Sequence, residues 1–367
     1  MKLSLGFAGD FSIGGGSERG VCAPEICRDT AVFTDLVDIT FANFESCVVE
    51  NEGTTAEYIG VTESQCHSLM ESGIDVFTLA NNHIRDCGDE GLLLTKRVLN
   101  EQGILTVGAG ENIGEANAPL IVDRDGKTIA FLGATDATHY KAERRRPGVA
   151  PLNARRLCNT VGRLRNKVDL IVVGIHSDLE FTNFPAPWKV NMSRRLVKAG
   201  ADIVVHHHPH TLQGIEIYDN ALIAYSLGSF AFPVHGMKYM ENRDGNVDEA
   251  VFLKVVVDYN RSNRKVMTYE LIPTVICKNN STRMASGRRR EQIIERMSKY
   301  SSYLSSWPSL RRQYWHSCIK LAKNFIYGSY YSYRRGGATQ MYSYLKTHFT
   351  SQVHRTWMRG LISFGRF

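Results

Sequence analysis

The sequence predicts an α/β fold with a basic, mainly helical C-terminal extension, and three observations point there. Short apolar runs alternate with helix-like stretches through most of the chain, the pattern of α/β architectures. Most of these runs stop at a polar or glycine-containing turn. From Lys278 onward the composition changes: 17 Lys and Arg stand against 2 acids, whereas the preceding residues hold 27 against 35. A boundary is therefore expected near residue 275, with a body over 1–275 and a basic aromatic region over 276–367.

In chain order, the runs Leu3–Ala8, Ile39–Asn43, Val76–Ala80, Thr128–Gly133, Leu170–Ile175, Ile203–Val205 and Leu222–Tyr225 predict strands. Ala250–Val257 alternates enough to be an edge or antiparallel strand. Between them, helices are predicted at Thr62–Ser72, Gly88–Glu101, Ala154–Asn166 and Pro187–Ala199, the last ending at a Gly200 cap. The chain has 367 residues, 43% of them hydrophobic and 22% charged, which is ordinary for a soluble globular protein with a substantial core.

No stretch reaches the roughly 18 consecutive apolar residues of a membrane span, and the run after Met1 is too short for a signal-peptide core. The eight cysteines are scattered without a CxxC pair and read as ordinary buried thiols in a reducing compartment. A cytoplasmic location, with peripheral contact to the inner membrane, is the matching expectation.

Five of the predicted strands end in residues that bind metals. Gly9-Asp10 follows the first, Asn43-Phe44-Glu45 the second, Asn81-Asn82-His83 the third and His176 the fifth. The sixth is followed by His206-His207-His208-Pro209-His210. Ligands of open α/β sheets gather beyond the carboxyl ends of strands, and carboxylate, amide and imidazole are the donors that borderline divalent ions take. Taken alone, Asp10 reads as a turn or cap, and Asn81-Asn82-His83 as a helix start with Asn82 capping. Four imidazoles in five positions are harder to place without a metal. It is the coincidence of all five strand ends that makes a metal site.

The ordered series GD, NFE, NNH, an isolated strand-end His, and HHHPH followed by LQGIEIYDNALIAYSLGSF closely resembles the CapA family of poly-γ-glutamate capsule biosynthesis proteins, relatives of the calcineurin-like metallophosphoesterases. The resemblance covers about Leu3 to Phe232. It implies a four-layer α/β/β/α metallophosphoesterase-like sandwich holding two divalent ions, of manganese, zinc, iron or magnesium. Asp10 would bind the first ion and Glu45 would bridge. Asn82, His176 and His207 would bind the second, with His210 returning to the first. His83 would be the acid or charge-stabilising residue, and Asn43, Glu180 and His208 would meet substrate. Departures are visible too. Ser12 stands where Asp-x-His enzymes carry a histidine, and Ser177-Asp178 replace the usual Trp-Gly.

What the resemblance implies is a metal-dependent hydrolase, most simply of phosphoesters, in capsule or other surface-polymer biosynthesis. A non-hydrolytic protein holding an anionic polymer during synthesis or export is the competing reading, and a metal-dependent transferase or amide hydrolase a third. The partner is then an anionic polymer or a phosphorylated substrate. Arg311–Gly328 places Tyr314, Trp315, Cys318, Ile319, Ala322, Phe325 and Ile326 at helical spacing. This is a basic amphipathic helix, suited to packing on the body or, within 286–367, to peripheral membrane contact. No nucleic-acid module is present in the motifs, so nucleic acid is not an expected partner. Gly14-Gly15-Gly16 lacks the Lys-Ser/Thr of a phosphate loop and reads as flexible chain.

Overall fold

The computed structural model describes residues 2–14, 23–49, 59–237, 239–241, 245–259, 265–350 and 352–363. The glycine run is therefore described only at Gly14. Two sheets organise the body. The first runs in the order Thr282–Met284, Lys265–Ile276, Glu249–Tyr259, Lys2–Phe11, Ile39–Phe44, Val76–Thr78, Leu105–Val107, with Ser229–Ala231 added beside the end of Lys2–Phe11. The second runs Ile215–Tyr218, Ala221–Ala224, Ile203–His207, Leu170–His176, Lys127–Thr135, Leu120–Arg124. The first is parallel from Lys2–Phe11 to its Leu105–Val107 edge and antiparallel on its other side; the second has a parallel centre and antiparallel flanks.

The central strands are buried on both faces, as Leu170–His176 is at every position, which is why they read as continuous apolar runs rather than alternating ones. One core lies between the sheets, where Leu5, Phe41, Phe131, Val172, Val205 and Leu253 meet and the rings of Phe41 and Phe131 stack at 5.6 Å. Each such buried side chain contributes about 1.5–3 kcal/mol relative to exposure. A second core covers the outer face of the first sheet with Phe33, Leu92 and Leu99 from the helices Ala23–Thr34 and Gly88–Glu101. A third covers the second sheet with Leu157, Val161, Val190 and Leu196 from Ala154–Leu164 and Pro187–Ala199. Four layers, α/β/β/α, result.

Local sequence accounts for the helix limits. Pro187 opens its helix and Gly200 closes it at φ 116°, a conformation that costs residues with a Cβ. Asn153 accepts from Arg156 N at the start of the helix Ala154–Leu164. The helix predicted over Thr62–Ser72 is instead four α-helical residues, Glu63–Cys66, continued as a 3-10 turn to Ser72. Ala250–Val257 lies within Glu249–Tyr259, an inner antiparallel strand between Lys2–Phe11 and Lys265–Ile276.

Two expectations need restating. The boundary at 275/276 falls inside the strand Lys265–Ile276, and the chain beyond it still builds the body. Thr282–Met284 extends the first sheet, and Ile293, Met297 and Tyr300 of the helix Gly287–Ser302 enter the core between the sheets. Arg296 and Arg289 of that helix pair with the nearly buried Glu249. The cysteines are not all free thiols either: Cys47 and Cys87 form a disulfide across 40 residues of sequence. No spacing motif announces that pair, because only the folding of two strand-end loops brings it together. Disulfides of this kind persist in oxidising compartments. Among the described residues no helix is long and apolar enough to cross a membrane.

Candidate metal centre

The strand ends converge as the sequence predicts. Asp10 closes the strand Lys2–Phe11, where it lies opposite Asn43 on one side and Ser229 on the other. A Cβ on Gly9 would stand 1.9 Å from the Gly228 carbonyl oxygen, so glycine there permits the close approach that seats Asp10. His176 and His207 are paired neighbours at the ends of parallel strands. Strand alternation splits the histidine cluster: His206 points to the outer face, where its ring stacks on Tyr225 and its Nε2 meets Ser193 Oγ at 2.7 Å. His208 and His210 adopt left-handed φ values of 96° and 55°. Such strain in non-glycine residues gathers at functional sites, and here it turns both rings inward.

Glu45 stands at the centre. Its Oε1 lies 3.8 Å from His176 Nε2, 3.7 Å from His210 Nε2 and 3.8 Å from His83 Nε2. Asp10 Oδ2 lies 3.3 Å from His210 Nδ1, and Asp10 Oδ1 lies 3.7 Å from His207 Nδ1. Two donor groups compact enough for an ion emerge, Glu45 with His176 and His208, and Asp10 with Glu45 and His210. Glu45 belongs to both. His208, expected at the substrate, thus sits in a ligand group, while the expected ligand His207 borders Asp10. Asn82 Oδ1 is 2.6 Å from His176 Nε2.

Asn43 is buried behind these groups, not presented to substrate. Its amide donates to Asp10 Oδ1 at 2.8 Å and Glu45 Oε2 at 3.3 Å, and lies 3.2 Å from His176 Nδ1. Ser12, where a histidine was the expectation from related enzymes, bonds Ser46 Oγ at 2.7 Å. Glu180 meets the Tyr239 hydroxyl, and Tyr239 packs edge-on against Phe181. His83 is partly open, with 26% of its side chain reaching solvent.

Electrostatics show a site shaped for cations. Burial, then the negative charge of Asp10, pushes the Glu45 carboxyl well above its ordinary range. Burial also opposes charge on Asp10, but the hydrogen bond and charge of His210, with His207 and His176, hold it well below the usual carboxylate range. Burial, then His208, keeps His176 neutral, and burial lowers His207 and His208 to about 4. Neutral His176, His207 and His208 stand beside a charged Asp10 whose hydrogen bond and charge raise His210 against its burial, and beside a Glu45 carboxyl driven towards protonation, a state that a divalent ion reverses. Glu45 Oε1, both ring nitrogens of His207 and His208 Nδ1 are buried without hydrogen-bond partners, a costly condition that an ion relieves. The residues therefore fit a metal centre.

Several contributors escape sequence reasoning. Asn81, not Asn82, caps the turn after the third strand: its Oδ1 accepts from His83 N and Ile84 N, and its Nδ2 donates to Phe44 O and Asn43 Oδ1. Asp86 Oδ2 pairs with His83 Nδ1 at 2.8 Å, aiming the opposite nitrogen at Glu45. The signal was there in the three-residue spacing after His83. Lys189 is fully buried behind the histidine strand and donates to Tyr225 O at 2.8 Å and Gln213 Oε1 at 3.2 Å. Nothing in the sequence marks it out from a surface lysine.

Two stacked sheets with a carboxylate and imidazole cluster at their strand ends define a metallophosphoesterase-like α/β fold. The chain belongs to the bacterial capsule synthesis protein PGA_cap family, whose model matches residues 4–234. Capsule biosynthesis protein CapA of Bacillus anthracis is 26% identical over 321 residues, 83% of this chain and 75% of that protein. PGA biosynthesis protein CapA of Bacillus subtilis (strain 168) is 30% identical over 240 residues, covering 63% of each. A probable polyglutamine synthesis accessory protein of Mycobacterium tuberculosis is 30% identical over 175 residues, 44% of this chain and 46% of that protein. A hypothetical protein of known structure from Thermus thermophilus aligns with 74% of this chain and 99% of its own at 15% identity, with a TM-score of 0.44.

Proposed function

We propose that this chain is a divalent-metal-dependent hydrolase, of phosphoester type, acting in the biosynthesis of a capsule or other acidic surface polymer. The observation that carries the reading is Glu45, a buried carboxylate shared by two donor groups and left with an unpartnered oxygen. Asp10 and His210 would hold one ion with Glu45, and His176 and His208, with Asn82 beside them, the other. Bound there, divalent ions supply Lewis-acid charge to a phosphoryl oxygen and activate water. The chain's own residues do the rest. Asn43 fixes the two carboxylates and the His176 ring in place. His83, partly open to solvent and oriented by Asp86, is placed to give a proton to a leaving oxygen.

A second reading has its own support. Ser12 gives the Asp10 side no imidazole, and one relative is named an accessory protein. The same centre would then hold an anionic polymer without cutting it. The Cys47–Cys87 disulfide favours work in an oxidising compartment over the cytoplasm.

Turnover of p-nitrophenyl phosphate and its diester by manganese-loaded protein separates these readings. Hydrolysis that falls about 10²–10⁴-fold in His83→Ala supports the enzyme. Metal binding without turnover supports the holding protein, and turnover unchanged in both His83→Ala and His208→Ala contradicts the proposed centre.

A further inference from the structure

The helical arm after Ser306 presents a surface that the metal centre does not use. Trp307–Thr350 contains seven Lys and Arg and no acid. It is two helices, broken at Gly336 and Gly337, where Gly337 takes φ 63°. One face of the first helix is committed. Tyr314 and Cys318 are buried with Trp357, Leu179 and Ala186, and Phe325 packs beside them. The returning segment folds against it, with the Phe325 and Tyr344 rings stacked at 5.8 Å.

The other face is open and is not merely polar. Ile326, Tyr327, Tyr330 and Tyr331 are 63%, 62%, 55% and 61% exposed. Lys323, Arg334 and Arg335 are exposed among them. Exposed single aromatics are ordinary, but a helical face of neighbouring tyrosines and an isoleucine is a docking surface. Charge settles what docks. Lys and Arg beside a membrane are drawn to anionic headgroups, tyrosine rings settle at the headgroup level, and long basic side chains lay their stems on apolar surface. A soluble polyanion would be met by the charges alone and would leave the tyrosines and Ile326 unused. The chain before Lys278 carries the opposite excess, 35 acids against 27 Lys and Arg, so an anionic surface attracts the arm while repelling the body.

We propose that this face of the arm seats the protein on an anionic phospholipid surface, lying on the bilayer without crossing it. The inference is independent of the reaction at the metal centre.

Co-sedimentation of the full chain with phosphatidylcholine vesicles, with and without about 30% phosphatidylglycerol, tests it. Binding to the anionic vesicles alone, lost in about 1 M salt, is expected. Substituting Lys323→Glu, Arg334→Glu and Arg335→Glu together lowers that binding more than about tenfold. A second variant with Tyr327→Ser, Tyr330→Ser and Tyr331→Ser weakens it too, and both keep the wild-type melting temperature because the replaced side chains are exposed. Equal binding to neutral and anionic vesicles overturns the proposal. So does undiminished binding by the tyrosine variant, or binding of soluble poly-glutamate through the three basic residues with no binding to vesicles.

Discussion

Cys47 and Cys87 are joined by a disulfide that ties the loop carrying Glu45 to the turn carrying Asn82 and His83. Gly91 makes room for it, since a Cβ there would lie 2.3 Å from the Cβ of Cys87. Two strand ends that supply donors to one centre are thus held together covalently. Replacing both cysteines by serine is expected to lower stability by about 2–4 kcal/mol, measured by denaturant unfolding without reductant. Manganese affinity falls with it, because the Glu45 loop and the Asn82 turn can then separate. An unchanged unfolding midpoint would show that the staple contributes nothing.

Asn43 holds three donors at once, and none of its contacts is to solvent. Asn43→Ala removes the amide from Asp10 and Glu45 while leaving every proposed ligand in place. Metal affinity should fall about 10–100-fold, read by isothermal titration with manganese, with the far-UV spectrum unchanged. Wild-type affinity in this variant would mean that the carboxylates do not depend on Asn43 for their placement.

His83 and Asp86 act as a pair in this account. His83→Ala should leave metal content intact and lower phosphoester turnover by about 10²–10⁴-fold. Asp86→Asn, which keeps the shape but removes the charge that orients the ring, should cause a smaller loss in the same parameter. Loss of bound metal in either variant would place His83 among the ligands.

Lys189 gives the fold a pH dependence. Burial, opposed by the charges of Asp178, Asp136 and Asp10, lowers its ammonium from 10.5 to about 8. Between those two values the unfolded chain holds more protons than the folded one, so stability rises with pH across that window and is flat in this contribution below it. The melting temperature of wild type, measured relative to Lys189→Met, should therefore climb from pH 8 towards pH 10. A difference that does not change with pH would show that Lys189 titrates normally.

How much of this was legible depended on where the information lay. The strands Leu170–His176 and Ile203–His207 announced themselves because parallel strands buried on both faces leave unbroken apolar runs. Asp10, Glu45, His176 and His210 were legible because donors at successive strand ends have few other uses. The placing of His208 beside Glu45 and His176 was not, since it depends on the left-handed turn at His208. The Cys47–Cys87 pair and the burial of Lys189 are products of long-range packing and leave no local pattern. The change of charge near Lys278 does not mark the end of the core, whose buried side chains continue to Leu310.

The shared carboxylate is the centre of this account, and manganese titration followed by electron paramagnetic resonance tests it most directly. Two ions per chain with a spin-coupled signal are expected in wild type, and Glu45→Gln should abolish the coupling and the tighter binding. Failure of wild type to bind manganese, or two uncoupled ions held equally well by Glu45→Gln, would contradict it.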